Sequence, residues 1–239
     1  QQEKLLLNER HEAWESVARK LAHEIKNPLT PIQLTIDRLK NKYSNLINKS
    51  DKDTFNDNLK TIINQIKQIE NLVNEFSDFA RMPKPILNKN DLAIILKENI
   101  MLLKEVDLSI EINLKLNQEK IIFFCDKEQL SRVFFNLIKN SIESINEKYS
   151  KNDDFIKKID IEILNKNDYI EFIIIDNGSG FSEKNLNNII KPYFTTKSKG
   201  SGLGLSIVNK IINDHNGTIK FIQQKIGAKI IIKFKKNVN

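Results

Sequence analysis

Residues 175–181 read Ile-Asp-Asn-Gly-Ser-Gly-Phe and residues 200–205 read Gly-Ser-Gly-Leu-Gly-Leu, and the stretch from Gly178 to Gly204 holds five of the chain's seven glycines. In a sequence this poor in glycine, such clustering marks backbone that turns sharply or approaches a ligand closely. The first group follows an apolar, strand-like run at 169–175. An Asn-Gly pair there fits a hairpin turn, and short glycine motifs match by accident. The alternative puts the Asp176 carboxylate at a strand end facing a pocket. A carboxylate accepts from the exocyclic amine of adenine, where guanine presents a carbonyl oxygen, so Asp176 is the candidate for choosing ATP over GTP.

The second group opens a helix expected near 203–215. Free backbone N–H groups and the positive end of the helix dipole suit phosphate there. No Lys-Ser/Thr pair follows, so this is no P-loop, and the strand–turn–helix order of a dinucleotide fingerprint is wrong. Residues 181–199, between the glycine groups, read as a lid. In it Lys197 would neutralise terminal phosphate charge, and Tyr193 and Phe194 would anchor the closed state. A third group, Asn136-Leu-Ile-Lys-Asn140-Ser-Ile-Glu143, sits on an expected helix, with Asn136, Asn140 and Glu143 at i, i+4 and i+7 on one face. Such a stripe is commonly a solvated side. An asparagine carbonyl is also a hard-cation ligand, and Mg²⁺ takes few protein ligands beside phosphate oxygens and water. Asn140 is the better candidate ligand, with Asn136 and Lys139 beside the phosphates.

Outward from these groups the chain divides by period. Residues 1–80 contain no glycine and only Pro28 and Pro31. Ile25, Leu29, Ile32, Ile36, Leu39, Tyr43 and Leu46 form one stripe at steps of four and three. Phe55, Leu59, Ile62, Ile66, Ile69, Val73 and Phe76 form another. Both are heptad patterns of helices that pack in a bundle. Asp53 or Thr54 is expected to cap the second helix. A two-helix hairpin has too little surface to bury alone, so pairing with a second copy into a four-helix bundle is expected. Residues 81–85, Arg-Met-Pro-Lys-Pro, break the period as a linker. Beyond them the pattern gives a helix at 92–103, strands at 109–116 and 120–125, and a helix at 127–148. Strands at 156–164 and 169–175 follow, then the lid, the 203–215 helix, and strands at 218–222 and 228–234. This is an α+β domain with helices on one face of a mixed sheet. The expected boundaries are 1–82 for the hairpin, 83–90 for the linker and 91–239 for the α+β domain.

Composition narrows the function. The formal charge is +7, yet the lysines are interleaved with Asp, Glu and Asn, without an arginine stripe or aromatic platform, so nucleic acid is not the expected partner. Three scattered histidines and one cysteine give no zinc site. Cys125, in Ile-Ile-Phe-Phe-Cys-Asp, reads as an inert core thiol. No run approaches the roughly 18 apolar residues of a membrane span. His11 and His215 match no motif and are expected at the surface.

His23 differs from them by its neighbours, His23-Glu-Ile-Lys-Asn-Pro-Leu-Thr-Pro31. Asn27 lies one turn on, on the same face, where it would orient a water toward a phosphorylated imidazole. Glu24 points about 100° away and must curl around the helix to orient the ring or take its proton. Pro28 cannot donate to the preceding turn, so an interruption and kink are expected just after His23. Neutral imidazole, with an unperturbed pKa of about 6.5, offers a free lone pair.

The four segments Asn136–Asn140, Asp176–Gly180, Tyr-Phe-Thr-Thr-Lys at 193–197 and Gly200–Gly204 occur in the order of the N, G1, F and G2 boxes. Together they resemble the ATP-binding domain shared by histidine kinases, DNA gyrase, Hsp90-type chaperones and MutL, an α/β sandwich that binds Mg-ATP under a mobile lid. The segment around His23 resembles the H box of dimerising histidine kinases. The string His23–Leu34, preceded by Trp14 and Val17-Ala-Arg19, is similar to the nitrogen-regulation sensor kinases of the NtrY type.

The resemblance implies a histidine kinase that autophosphorylates His23 and passes the phosphoryl group to an aspartate on a response regulator receiver domain. It assigns catalysis to His23, Glu24 and Asn27, with Asn27 at the position associated with dephosphorylating the regulator. It assigns ATP binding to Asn136, Lys139, Asn140, Asp176, Gly178, Gly180, Tyr193, Thr196, Lys197, Gly200, Ser201, Gly202, Leu203 and Gly204, and Mg²⁺ to Asn140. It also implies a homodimer, and a cytoplasmic portion of an inner-membrane sensor whose membrane region lies outside this chain. Transfer to His23, outside the ATP domain, requires that domain to swing on the linker. The rivals are an ATP hydrolase of the same superfamily and a non-catalytic scaffold. The hydrolases place a glutamate one turn before the metal-binding asparagine, where this chain has Asn136, and no decay of the boxes favours a scaffold.

Overall fold

The structure is a computed structural model that describes residues 2–105, 107–149, 155–182, 185–186, 188–197 and 200–236, with side chains from Ser16 onward except Lys49. The side chains of His11 and Trp14 lie outside the described residues. Two compact units divide the chain. One comprises the residues up to Pro83. The other runs from Lys84 to the C-terminus apart from the loop Lys197–Ser201.

The first unit is an antiparallel pair of long helices, α1 (Gln2–Tyr43) and α2 (Lys49–Ala80). The expected interruption at Pro28 does not occur, since α1 runs unbroken through both prolines. Each proline removes one donor from the ladder, while the seam on either side keeps packing, with Leu29 and Ile36 of α1 buried against Leu59 and Ile66 of α2. The expected cap at Asp53 or Thr54 is also corrected. The helix has already begun, because Asp51 and Lys52 N–H donate to the Asn48 carbonyl, and no side chain caps it.

Burial follows the heptad unevenly. Ala22, Leu29 and Ile36, seven residues apart, are buried, as are Leu59, Ile66, Val73 and Ala80. The other apolar position is partly buried at Ile25 and Phe55, which pack against this seam, and more open in the heptads between. Ile32, Leu39, Ile62 and Ile69 are 40–45% exposed.

The second unit is a mixed sheet under three helices. In chain order it contains β1 (Asn88–Asp91), α3 (Leu92–Lys104), β2 (Ile110–Leu116), β3 (Ile122–Cys125) and α4 (Lys127–Tyr149). These are followed by β4 (Lys157–Asn165), β5 (Tyr169–Asp176), α5 (Gly204–Asp214), β6 (Gly217–Gln223) and β7 (Ala228–Lys235). The main sheet runs β2-β4-β5-β7-β6, with β2 parallel to β4 and every other pair antiparallel. Side chains alternate across its faces with period two. Ile159, Ile161 and Ile163, then Ile170, Phe172 and Ile174, then Ile230, Ile232 and Phe234 are all buried. They meet Leu130, Phe134, Leu137 and Ile138 of α4 and Ile207, Val208 and Ile211 of α5, also buried. Each such aliphatic side chain contributes about 1.5–3 kcal/mol. The opposite face holds exposed pairs such as Lys115–Glu162 at 3.2 Å and Lys158–Asp160 at 3.0 Å.

Two features depart from the sequence expectation. Residues 88–90, placed in the linker, form β1 together with Asp91, and it pairs antiparallel with β3 in a separate two-stranded sheet. Its four polar residues have little strand propensity. They are held by the pairing and by Asp91, whose Oδ1 accepts from Ala93 N at 3.0 Å and Ile121 N at 3.1 Å. The second is His215, expected at the surface and found 3% exposed. Its Nδ1 lies 2.8 Å from the Ile211 carbonyl oxygen, and its Nε2 accepts from Asp126 N–H at 3.0 Å. Both ring nitrogens are thus used, tying the end of α5 to the start of α4. Asp126 in turn accepts from Gln129 N at 3.1 Å and from Ile86 N at 2.9 Å. Cys125 is fully buried as expected, and burial pushes its thiol up to about 11, which keeps it unreactive. Replacing His215 with Ala leaves the Asp126 N–H without its acceptor, while the Ile211 carbonyl keeps only the backbone N–H of residue 215. Chemical denaturation followed by circular dichroism should show a loss of about 1–3 kcal/mol.

Candidate functional site

The period-two alternation of β5 sets the centre of the site. Ile170, Phe172, Ile174 and Asp176 share one face, so the strand that buries three apolar side chains ends by turning a carboxylate into the helix-covered side. Asp176 is 5% exposed. Its Oδ1 accepts from Gly178 N–H at 2.9 Å and its Oδ2 from Ser141 Oγ at 3.2 Å. Burial raises its pKa. Hydrogen bonds from Gly178, Ser141 and the Ala228 backbone, and the charge of Lys148, oppose that rise. Asp176–Gly180 is not a hairpin turn, because β5 pairs with β4 and β7 and the chain leaves the sheet after Asp176. Gly178 is required by close approach, since a Cβ there would lie 2.4 Å from Ser144 Oγ and 2.7 Å from the Ser144 carbonyl carbon.

α4 brings the asparagine group to the same place. Ser141, which reaches Asp176, directly follows Asn140 on the helix, and Asn136 and Asn140 are half-buried. The Asn136 side-chain oxygen lies 3.7 Å from where a Cβ of Gly204 would stand, so the first turn of α5 abuts α4. That turn has no side-chain cap, which leaves its N–H groups to a ligand. Lys139 is exposed and pairs with Glu143 at 3.9 Å. Leu203 is fully buried and its carbonyl accepts from Ser206 Oγ and Ile207 N. Its side chain therefore packs in the core and does not face a ligand, so any contact it makes is through its backbone. In the lid, Tyr193 has a φ of 66° and is 56% exposed. Phe194 is half-buried, Thr196 is exposed and Lys197 is half-buried. Gly200 N–H donates to the Lys197 carbonyl at 3.2 Å, Ser201 and Gly202 are half-buried, and Gly180 and Gly202 take φ of 74° and 72°.

Several residues were not flagged by sequence. Ser141, Ser144, Lys148 and Tyr149 extend the α4 face that holds the loop after β5, and only their periodic spacing from Asn140 hints at it. Gly227, in the β6–β7 turn with φ of 77°, presses on the Asp176 backbone, where a Cβ would lie 1.8 Å from the carbonyl oxygen. Among the described residues no group of three His, Cys, Asp or Glu is placed to hold a metal. The side-chain carbonyl of Asn140 is a hard oxygen donor of the kind that fits Mg²⁺, which takes few protein ligands.

On the hairpin, His23, Glu24 and Asn27 are all exposed, with His23 and Asn27 one turn apart. Glu24 lies 4.0 Å from Lys20, an exposed pair of little energetic weight.

These two sets of residues coincide with two families. Residues 13–85 match the His Kinase A phospho-acceptor domain, and residues 125–238 match the histidine kinase-, DNA gyrase B-, and HSP90-like ATPases. The chain belongs to the sensor histidine kinases of the NtrY-like type. It is 40% identical over 98% of its length to an NtrY-like sensor histidine kinase of Rickettsia felis, and 37% identical over 90% to the nitrogen regulation protein NtrY of Azorhizobium caulinodans. It spans 38% and 28% of those relatives. Among solved structures, the histidine kinase ThkA in complex with the response regulator TrrA aligns with 96% of this chain and 64% of that one at 25% identity and a TM-score of 0.67. The catalytic domain of ThkA aligns with 63% of this chain and 96% of that one at 26% identity and a TM-score of 0.56.

The buried carboxylate has a thermodynamic signature. Unfolded, Asp176 ionises near 3.9; folded, it ionises at higher pH. Its ionisation therefore costs stability that grows as pH rises between the two values and is constant above both. Asp176→Asn keeps the shape and removes the charge. Its melting temperature should exceed the parent's at pH 7, with the gap closing as pH falls toward 4, as scanning calorimetry at several pH values would show.

Proposed function

We propose that this chain autophosphorylates His23 with the γ-phosphoryl group of ATP and then passes it to an aspartate of a response regulator receiver domain. The observation that supports this most directly is the solvent-exposed His23, with Asn27 one turn above it, on a chain that also builds the Asp176–Asn140–Gly204 site. Adenine would be read by Asp176 through its exocyclic amine, and phosphates would lie at the open N-terminus of α5. Mg²⁺, held by Asn140, would supply charge neutralisation on the phosphate oxygens. A His23 ring nitrogen offers its lone pair in line. The N–P bond forms as the bond from the γ-phosphorus to the β,γ-bridging oxygen breaks, and ADP leaves with that electron pair. Glu24, pointing off to the side, is placed to orient the ring or take its proton only after a rotamer change away from Lys20. Asn136 stands where the hydrolases of the superfamily carry their water-activating glutamate, which favours transfer to a protein acceptor over hydrolysis. Asn27 would orient water for dephosphorylating the regulator, giving a second activity.

The exposed half of each heptad supports a homodimer. Ile32, Leu39, Ile62 and Ile69 form the stripe that a second hairpin would cover to complete a four-helix bundle. Because His23 lies outside the ATP-binding unit, transfer would need that unit to swing on the linker. No helix among the described residues is long and apolar enough to cross a membrane. By the resemblance to nitrogen-regulation sensor kinases, membrane attachment would lie in a region outside this chain, with this part on the cytoplasmic side.

Incubation with γ-labelled ATP and Mg²⁺ should leave acid-labile, base-stable phosphate on the chain. His23→Gln should abolish it while ATP binding survives, and label persisting in that variant would sink the assignment. Asn140→Ala should cut Mg²⁺-dependent labelling at least about tenfold, as loss of a charge-assisted contact implies; unchanged labelling would remove it as the ligand. Ile32→Glu with Ile69→Glu should convert the dimer to a monomer in light scattering, and a persistent dimer would exclude this face as the interface.

A further inference from the structure

The loop after β5 is held from behind by the last two turns of α4. Lys148 Nζ donates to the Asn177 carbonyl at 3.0 Å and to the Gly178 carbonyl at 3.0 Å. Tyr149, 8% exposed, donates its hydroxyl to the same Asn177 carbonyl at 3.1 Å. Ser144 Oγ accepts from Ser179 N–H at 3.1 Å, and Ser179 Oγ donates to the Ser144 carbonyl at 3.1 Å. The Asn177 side chain secures the far side, accepting from Lys158 N at 3.0 Å and donating to the Ile156 carbonyl at 2.7 Å.

One peptide group links these contacts to Asp176. The Asn177 carbonyl and the Gly178 N–H belong to a single planar trans unit, so they point in opposite directions. Lys148 and Tyr149 hold the carbonyl end. The N–H end donates to Asp176 Oδ1 at 2.9 Å. Drawing the oxygen toward α4 aims the N–H at the carboxylate. The absence of a Cβ at Gly178 lets this peptide lie against Ser144.

We propose that Lys148 is a positioning residue for adenine recognition, fixing the Asp176 carboxylate through the Asn177–Gly178 peptide. This rests on the reading that Asp176 accepts from the exocyclic amine of adenine. Lys148 acts through the peptide and touches no nucleotide atom. Its two charge-assisted bonds hold the loop in the binding geometry before the ligand arrives, so little ordering remains to be done on binding.

The test compares binding of ATP with that of purine riboside triphosphate, which lacks the amine, by calorimetry on the full chain. In the parent protein ATP should bind at least about tenfold tighter, the size of a hydrogen bond to a charged group. Equal binding of the two would overturn the reading of Asp176 itself. Given that gap, Lys148→Met should shrink it about fivefold or more, and Lys148→Arg should restore most of it. Tyr149→Phe, which removes the second donor to the same carbonyl, should shrink it in the same direction by less. An undiminished gap in Lys148→Met would overturn the positioning role while leaving the Asp176 reading intact. Should Lys148→Met fail to fold, Tyr149→Phe decides alone, and an unchanged gap there overturns the role.

Discussion

A strand has only two faces, and the nucleotide-binding unit depends on which of them receives Asp176. Ile170, Phe172 and Ile174 turn toward α4 and α5 because the sheet must bury an apolar face, and the same alternation sends Asp176 inward two residues later. A carboxylate in that position is expensive unless its lone pairs are satisfied. Ser141 and the Gly178 N–H satisfy it, and both are present only because α4 crosses over the end of β5 and the chain bends back against that helix. A one-residue slip in β5 pairing would turn three core side chains outward and Asp176 with them. The register that stabilises the core and the geometry that builds the site are therefore one constraint.

The hairpin obeys a different constraint with a similar outcome. A single chain buries one of the two apolar positions in each heptad, since two helices present only one seam to each other. The second position is half-covered at Ile25 and Phe55 and exposed at Ile32, Leu39, Ile62 and Ile69, and the apolar area of those four is realised only when another surface covers it. The helix tolerates Pro28 and Pro31 on the same grounds. Losing two backbone donors is offset by keeping Leu29 and Ile36 in the seam, where a break in the helix would forfeit the packing on one side of it.

Much of this was legible in the sequence where a single physical signal dominates. The heptad stripes marked both long helices, and the apolar strand-like runs marked six strands within a residue or two. The glycine groups marked the loops around Asp176 and Gly204. What was not legible arises from contacts distant in sequence. Nothing in Asn-Lys-Asn-Asp at 88–91 suggests a strand, because β1 exists through its pairing with β3 and the bonds of Asp91. His215 reads as a polar residue after a helix, and is buried because Asp126, nearly ninety positions away, offers a backbone donor to its ring. Lys148 reads as one more surface lysine in a lysine-rich chain. Its role is visible only once the loop after β5 is seen folding back onto α4.

α4 is the element on which these distant contacts converge. Its first turn is capped by Asp126, which also receives the Ile86 N–H and gives its own N–H to His215 at the end of α5. Its middle carries Asn136, Asn140 and Ser141, and its last turns hold the loop after Asp176 through Ser144, Lys148 and Tyr149. A helix transmits displacement along its axis with little loss, because each turn is hydrogen-bonded to the next. With α4 fixed at both ends, Asp176 and the first turn of α5 at Gly204 are both set against one helix, and in the proposed reading these are the adenine and phosphate ends of the site. The separation between them follows from how α4 packs against β5 and α5, so in that reading the site's two ends are set by the helix and the sheet rather than by the lid.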